Sequence, residues 1–141
     1  MSRLVLDASM TLSWLLPDEA TAASLAVRDE LIKAESVLAP GHWRLEVCNA
    51  LWMAERRQRL DASGVAQAVS LFTQLPVAID ADTSDRAGGE ALALARQHGL
   101  SVYDAAYLEL ALRQGALLTS LDEPLRAVAR KLGVPLLPQA A

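Results

Sequence analysis

Short runs of leucine and β-branched residues recur along the chain, and polar residues do not alternate regularly within them. This pattern is typical of strands that are buried on both faces, as in a parallel sheet covered by helices. It predicts five strands, at about Arg3–Asp7, Ser36–Ala39, Pro76–Ile79, Ala116–Leu121 and Val134–Leu137.

The segments between these runs are rich in alanine and leucine, and their apolar residues repeat at helical spacing. The predicted helices lie at about Glu19–Ala34, His42–Arg59, Ser63–Gln74, Asp85–His98, Val102–Gln114 and Leu125–Leu132. Strands that alternate with helices predict an α/β fold with a doubly wound, mostly parallel sheet flanked by helices. Because ligands of such folds bind at the carboxyl ends of the strands, polar residues there are the first candidates for function.

The composition favours a single globular domain. Of 141 residues 52% are apolar, enough for one core, and no linker or repeat divides the chain, so we expect residues 1–141 to form one domain. A net charge of −4 argues against a general nucleic-acid coat. No apolar run suits a membrane span or a signal peptide. The lone Cys48 excludes an intramolecular disulfide, so we expect a cytoplasmic protein with Cys48 as a small core residue.

Four carboxylates stand where chemistry is expected, and each has a purely structural alternative. Asp7 ends the first strand and Asp122 follows the fourth, so either could be only the N-cap of the next helix. Asp104 falls in the first turn of a helix that Ser101 can cap, where negative charge is favourable in itself. Glu46 lies at the edge of an apolar helical stripe, where a surface salt bridge is the alternative.

Taken together, three of these four acids fall at strand ends or helix starts on one predicted rim of the sheet. Carboxylates that converge there repel one another, so we expect the pKa of at least one to be raised. A hard cation would compensate the repulsion, and oxygen ligands favour Mg²⁺ or Mn²⁺ over zinc. The indicated chemistry is metal-assisted phosphoryl hydrolysis.

Four ordered motifs, which cover nearly the whole chain, resemble those of the PIN-domain ribonucleases and most closely the VapC toxins of bacterial toxin–antitoxin pairs. They are Val5-Leu6-Asp7-Ala8-Ser9 with Trp14-Leu15-Leu16-Pro17-Asp18-Glu19; Pro40, Trp43, Leu45-Glu46-Val47 and Asn49-Ala50-Leu51; Tyr103 to Ala111; and Ser120-Leu121-Asp122 with Leu125 and Leu132-Gly133-Val134-Pro135. The family usually has Thr before the last acid. Here Ser120 takes that place with Thr119 beside it, so either hydroxyl could orient the acids.

The resemblance implies a metal-dependent endoribonuclease whose catalytic and metal-binding residues are Asp7, Glu46, Asp104 and Asp122. Asp7 and Asp104 are expected to bind one or two Mg²⁺ or Mn²⁺ ions directly, Asp122 directly or through water, and Glu46 as a ligand or as the group that activates water. Hydrogen-bond support for these acids is expected from Ser9, Ser120 and Asn49. The implied partners are RNA, a small antitoxin of VapB type and a second copy of the chain in a homodimer.

A cluster of arginines at a helix end is a weaker candidate for RNA binding. Arg56, Arg57 and Arg59 could steer phosphates, or they could only complement the dipole of the helix C-terminus. An acidic protein of this kind is expected to recognise a folded or looped RNA at a small site.

Other functional classes fit the sequence less well. A PIN-domain nuclease of RNA processing or decay, outside any toxin pair, is the main alternative. A phosphoacceptor signalling domain would need a lysine at a strand end, and neither Lys33 nor Lys131 is so placed. Asp80, Asp82 and Asp85 lack the Gly and Glu of a calcium loop, so we expect a helix-capping surface loop there.

Overall fold

The computed structural model describes residues 2–140, and its centre is one sheet of five strands. The strand order is β3-β2-β1-β4-β5, and all four strand pairs are parallel. The fully parallel sheet confirms the predicted α/β class. The strands are β1 (Arg3–Leu6), β2 (Ser36–Ala39), β3 (Ala78–Ile79), β4 (Leu117–Thr119) and β5 (Leu136–Leu137).

The order of the strands reverses beside β1, in the middle of the sheet. From β1 the chain moves outward to β2 and β3, and it then returns to place β4 and β5 on the other side. At the carboxyl end of the central pair, Leu6 of β1 lies opposite Thr119 of β4. Parallel sheets leave a crevice at such a reversal. Asp7 and Asp122, which follow β1 and β4, therefore face the same crevice.

The sheet is covered by eight α-helices and one π-helical segment within the described residues. Most helices begin at a side-chain cap, such as Thr21 before α2, Asp61 before α4 and Ser101 before α7. Within residues 2–140, no helix combines the length and the apolar character that crossing a bilayer needs. The helices are α1 (Ala8–Leu15), α2 (Ala22–Lys33), α3 (Trp43–Arg56), α4 (Ala62–Thr73), α5 (Thr83–Arg86), the π-helical segment (Ala87–Ala91), α6 (Leu92–His98), α7 (Val102–Gln114) and α8 (Glu123–Lys131).

The structure differs from the predicted elements at three kinds of place. Helix α1 was not among the predicted helices, because Ser9, Thr11 and Ser13 alternate with apolar residues at a period of two, which is not helical spacing. The predicted helix at about 85–98 is interrupted by the π-helical segment, which contains Gly88 and Gly89. The edge strands β3 and β5 begin two residues later than predicted, since Pro76 and Pro135 have no N–H for the sheet ladder.

The core lies between the sheet and its helices. Strand β1 is buried at Leu4, Val5 and Leu6, and α7 packs against it with a nearly continuous buried face. On the α3 side, the Trp43 ring meets the Phe72 ring edge to face at 5.6 Å, and its Nε1 donates to Thr11 Oγ1 at 3.0 Å. These contacts join α3 to α1 and α4, and so determine where the polar face of α3 lies.

One expectation about a single residue was wrong, and another was incomplete. Cys48 is exposed, not part of the core, because the buried stripe of α3 runs through Trp43, Val47 and Leu51 and leaves Cys48 on the outer face. The expectation of a helix-capping loop is correct in that Asp82 is the N-cap residue of α5, but it missed the contacts of Asp80. The Asp80 carboxylate accepts from the Arg113 guanidinium of α7 at 2.6 and 3.1 Å, and this ion pair lowers the Asp80 pKa.

Candidate active site

The four predicted acids line one cavity at the carboxyl end of the sheet. This acidic pocket has a volume of about 360 Å³ and opens at the reversal of strand order beside β1. Its lining consists of Asp7, Ala8, Ser9, Leu12, Glu46, Asn49, Ala50, Asp104, Tyr107 and Asp122. The structure thus brings together carboxylates from four separate parts of the sequence.

Asp7 is the most buried of the four acids. Its Oδ1 accepts from the Met10 backbone N–H at 2.8 Å, so Asp7 is also the N-cap of α1, and the Ser9 hydroxyl lies 2.8 and 2.9 Å from its two oxygens. Burial raises the Asp7 pKa to about 6, although hydrogen bonds from Ser120, Met10 and Ser9 oppose the rise. The charge of Asp122 adds least among the named causes. We expected mutual repulsion to raise a carboxyl pKa; for Asp7 desolvation is the main cause.

Asp122, like Asp7, both lines the acidic pocket and caps a helix. Its Oδ2 accepts from the Leu125 N–H at 3.0 Å and caps α8, while its own N–H donates to Ser120 Oγ at 3.0 Å. Ser9 Oγ accepts from the Leu121 N–H at 2.9 Å, so the two serine hydroxyls join the loop after β4 to the start of α1. Thr119 Oγ1 instead donates to the Val5 carbonyl at 3.0 Å inside the sheet. Of the two adjacent hydroxyls, that of Ser120 is therefore the one that contacts the acids.

Asp104 lies in the first turn of α7 and is half-buried. Its N–H donates to the capping Ser101 hydroxyl at 3.0 Å, as the sequence predicts. The Asp104 pKa is raised, first by burial and then by the charges of Asp122 and Glu46. The charges of Asp122 and Glu46 are thus close enough to affect the protonation of Asp104.

Glu46 is oriented by two aromatic residues that the sequence interpretation did not include in the site. The Tyr107 hydroxyl donates to Glu46 Oε1 at 2.9 Å, and His42 Nε2 lies 2.9 Å from the same oxygen. Burial raises the pKa of Tyr107, so its hydroxyl keeps its proton and remains a donor. A signal was present: Tyr107 follows Asp104 by three residues and therefore shares its helix face.

The donor set suits a hard divalent cation in its chemistry, since the pocket offers carboxylate oxygens and no thiol. The raised pKa values of Asp7 and Asp104 also indicate that burial and neighbouring negative charge disfavour their ionised forms, which a bound cation would stabilise. In residues 2–140, however, no group of three or more His, Cys, Asp or Glu side chains is arranged to hold a metal ion. The carboxylates share the pocket without a ready-made coordination shell.

The predicted support residues differ in what they contact. Ser9 and Ser120 bind the acids and their loops directly, as described above, whereas Asn49 lines the pocket from the exposed face of α3. None of the three clustered arginines lines the acidic pocket.

The arginine cluster at the end of α3 is partly occupied by contacts within the chain. Arg59 Nη2 binds Asp18 and Glu19, each at 2.9 Å. Arg56 lies over the Trp52 ring at 5.9 Å. These contacts favour a local structural role over an open phosphate-binding patch.

Arg126 of α8 is a buried charge behind the site that the sequence interpretation missed. Its Nη1 donates to the Ser120 carbonyl at 2.9 Å and its Nη2 to the Pro138 carbonyl at 2.8 Å. Within the described part of the chain, its Nε has no hydrogen-bond partner. Arg126 therefore joins the loop that carries Asp122 to the C-terminal segment.

Comparisons with known proteins find relatives of this chain in sequence and in structure. The profile described as "PIN domain" matches residues 4–131. The curated protein Ribonuclease VapC3 of Pyrobaculum aerophilum is 30% identical over 123 residues, covering 87% of this chain and 92% of the relative.

Solved structures share the fold. The crystal structure of PAE2754 from Pyrobaculum aerophilum superposes with a TM-score of 0.68 at 24% identity, covering 96% of this chain and 83% of the other. VapBC2 from Rickettsia felis, bound to a DNA fragment from its promoter, gives a TM-score of 0.66 at 13% identity, covering 95% and 96%.

Proposed function

The chain belongs to the PIN domain family and resembles its VapC members, and we propose that it is a metal-dependent endoribonuclease acting in the cytoplasm as the toxin of a toxin–antitoxin pair. The observation that carries this proposal is the convergence of Asp7, Glu46, Asp104 and Asp122 on one pocket at the reversal of strand order. The relationship to a protein named as a ribonuclease supports RNA as the substrate. We further propose that residues 1–141 form one PIN domain, since β5 completes the sheet beyond the matched residues.

The acids have different tasks in this proposal. Asp7 and Asp104 hold a Mg²⁺ or Mn²⁺ ion, Asp122 adds a direct or water-mediated contact, and Glu46 either binds the ion or accepts the proton of the attacking water. A bound ion supplies Lewis-acid chemistry: it favours ionisation of water and neutralises charge on the leaving oxygen. The Tyr107 hydroxyl and the His42 ring keep Glu46 Oε1 facing the pocket. Hydrolysis by water leaves 5′ phosphate and 3′ hydroxyl ends.

The test compares RNA 5′ ends in cells that express the wild-type chain, Asp7→Asn or Asp61→Asn. Asp61 is a matched control, because it caps α4 through the Gly64 N–H at 2.7 Å and does not line the pocket. We expect new 5′-phosphate ends with the wild type and with Asp61→Asn, and background with Asp7→Asn. Growth arrest without new ends, or equal cleavage by Asp7→Asn, would contradict the assignment.

The proposed protein partners are a small VapB-type antitoxin and a second copy of this chain. A carboxylate-rich pocket suits an antitoxin that inserts an Arg or Lys side chain and competes with the cation. The exposed Ile32 and Leu71 offer apolar surface for self-association. An antitoxin that binds without lowering nuclease activity would contradict the first point, and light scattering that finds only monomer at micromolar concentration would contradict the second.

A further inference from the structure

A second cavity adjoins the acidic pocket and shares part of its wall. This side pocket has a volume of about 410 Å³ and is lined by His42, Leu45, Glu46, Asn49, Ser101, Tyr103 and Asp104. Glu46, Asn49 and Asp104 line both cavities. A nucleotide whose phosphate reaches the acids would therefore place its neighbouring parts against the side pocket.

The side pocket combines an aromatic ring with apolar and hydrogen-bonding groups. Tyr103 is 66% exposed and Leu45 is 74% exposed, so both present apolar surface to solvent at the edge of the acids. The backbone of Tyr103 is fixed, because it lies in the first turn of α7 and its carbonyl is 3.0 Å from His42 Nε2. The His42 ring also packs beside the Tyr103 ring at 5.6 Å. An exposed aromatic ring whose backbone and one neighbour restrain it can stack on a base and loses little conformational freedom on binding.

The charges around the side pocket select the kind of group it can bind. Its lining contains two carboxylates and no lysine or arginine, and its histidine already contacts Glu46 and the Tyr103 carbonyl. A phosphate would be repelled there, whereas an uncharged nucleobase has a π-face for Tyr103 and polar edges for an amide. The exposed Asn49 side chain offers both a donor and an acceptor.

We propose that the side pocket binds a nucleobase adjacent to the scissile phosphodiester of a single-stranded RNA segment, with Tyr103 as the stacking surface and Asn49 as the group that contacts the base edge. This inference rests on the proposed ribonuclease function and assigns a substrate subsite to the same cleft. A dimer or antitoxin interface on Tyr103 is the competing possibility that the experiment distinguishes.

The experiment uses the full chain and short single-stranded oligoribonucleotides that carry one 2-aminopurine, with Ca²⁺ in place of Mg²⁺ to limit cleavage. The variants are Tyr103→Ala, Tyr103→Phe and Trp52→Ala. Trp52 is the matched control, since it is 51% exposed on α3 and lines neither cavity. We expect the wild type, Tyr103→Phe and Trp52→Ala to quench the base fluorescence to the same extent. We expect Tyr103→Ala to lose the quenching and to bind about 5- to 150-fold more weakly, as for the loss of one stacked base.

The outcomes separate this inference from the proposed function. Suppose that the wild type cleaves RNA and that Tyr103→Ala binds it and quenches the base fluorescence as the wild type does. The side-pocket assignment is then wrong, and the proposed nuclease function is unaffected. If the wild type neither binds nor cleaves RNA, the proposed ribonuclease function is itself wrong. If Tyr103→Ala changes the sedimentation coefficient or antitoxin binding but not RNA affinity, the surface is a protein interface and the base assignment is wrong. Melting temperatures of all variants show whether the loss of binding is due to unfolding; rescue by Tyr103→Phe supports stacking.

Discussion

Two of the pocket acids are helix caps as well as members of the site. Asp7 accepts from the Met10 N–H and Asp122 from the Leu125 N–H, so the structural alternative considered for each is also correct. Each cap uses one carboxylate oxygen, and both side chains also line the acidic pocket. Because Asn is nearly as good a cap as Asp, an Asp-to-Asn change at these positions removes charge and largely preserves the helix start.

The buried Asp7 gives the metal-free protein a pH-dependent stability. Its folded pKa of about 6 lies above the unfolded value near 3.8, so the folded chain retains a proton that the unfolded chain has lost. The contribution is fully present below about pH 4 and is lost as pH rises to about 6, a change on the order of 3 kcal/mol. We expect Asp7→Asn to remove this decline and, at neutral pH in chelator, to be at least as stable as wild type. It should also gain less from added Mg²⁺ or Mn²⁺.

Urea unfolding of both proteins between about pH 4 and pH 8, with and without metal, measures this effect. An equal decline in wild type and Asp7→Asn would mean that another group is responsible. An equal gain from metal would argue against Asp7 as a ligand.

Tyr107 is expected to act through Glu46. Tyr107→Phe keeps the buried ring and removes only the donor to Glu46 Oε1, so the fold should change little. Loss of a supporting hydrogen bond of this kind commonly costs about 10- to 100-fold in metal affinity or activity. We expect a lower kcat and weaker Mn²⁺ binding by calorimetry, with KM for RNA nearly unchanged. A variant with wild-type Mn²⁺ affinity would show that Glu46 does not need this partner.

The hydrophobic pattern predicted most helices and strands, because elements that pack on the faces of the sheet must place apolar residues at helical or strand spacing. Helix α7 was predicted with its observed bounds, since Ser101 caps its start and Gly115, in the left-handed region, ends it. Helix α1 was missed because its apolar and hydroxyl residues alternate at a period of two, which is typical of a strand, while the structure buries its Thr11 and Ser13 hydroxyls by bonding them to backbone carbonyls. The motifs predicted which acids share the pocket. They did not predict Tyr107 or Arg126, whose roles depend on contacts between separate elements. His42 was also not assigned to the site, although it lies one helical turn before Glu46 and contacts it within the same helix.

Not every acid after a strand joins the pocket, and Asp80 shows why. It follows β3 as Asp7 follows β1, but β3 is an edge strand away from the reversal, and Arg113 neutralises its charge. Asp7 and Asp122 differ from Asp80 in both respects: they lie beside the reversal of strand order, and within residues 2–140 neither forms an ion pair. Neither property is visible in the spacing of the acids along the sequence.

Helix α8 depends on Arg126 for its attachment to the loop after β4 and to the C-terminal segment. Replacing Arg126 with Ala leaves the carbonyls of Ser120 and Pro138 without their donor and opens a cavity, which we expect to cost about 1–3 kcal/mol. Arg130→Ala is the control one turn later, where an exposed pair with Glu123 at 3.0 Å should contribute at most about 1 kcal/mol. Urea unfolding of the two variants measures the difference. Equal stabilities would show that Arg126 is not needed for this attachment.

The charge of the whole chain limits how it can hold RNA. Thirteen basic residues face 17 acidic ones, and several arginines are already engaged: Arg59 with Asp18 and Glu19, Arg113 with Asp80 and Glu109, and Arg126 with backbone carbonyls. Within the described residues, no lysine or arginine lines the acidic pocket or the side pocket, so affinity should come mainly from the acidic pocket and the bases that adjoin it. Binding to a long, unstructured backbone is correspondingly disfavoured.

This charge distribution predicts a weak dependence of RNA affinity on salt. For single strands the slope of log K against log salt is about −0.7 per neutralised phosphate, so two or three contacts give a slope of about −1.4 to −2.1. Fluorescence anisotropy with a short oligoribonucleotide across a KCl series, at constant Ca²⁺, measures it. Arg57→Ala should leave the slope unchanged within about 0.3 if the arginine cluster is peripheral, and should make it shallower by about 0.7 if Arg57 neutralises a phosphate. A wild-type slope steeper than about −4 would mean that an extended basic surface binds the RNA, and that the small site described above is only part of the interface.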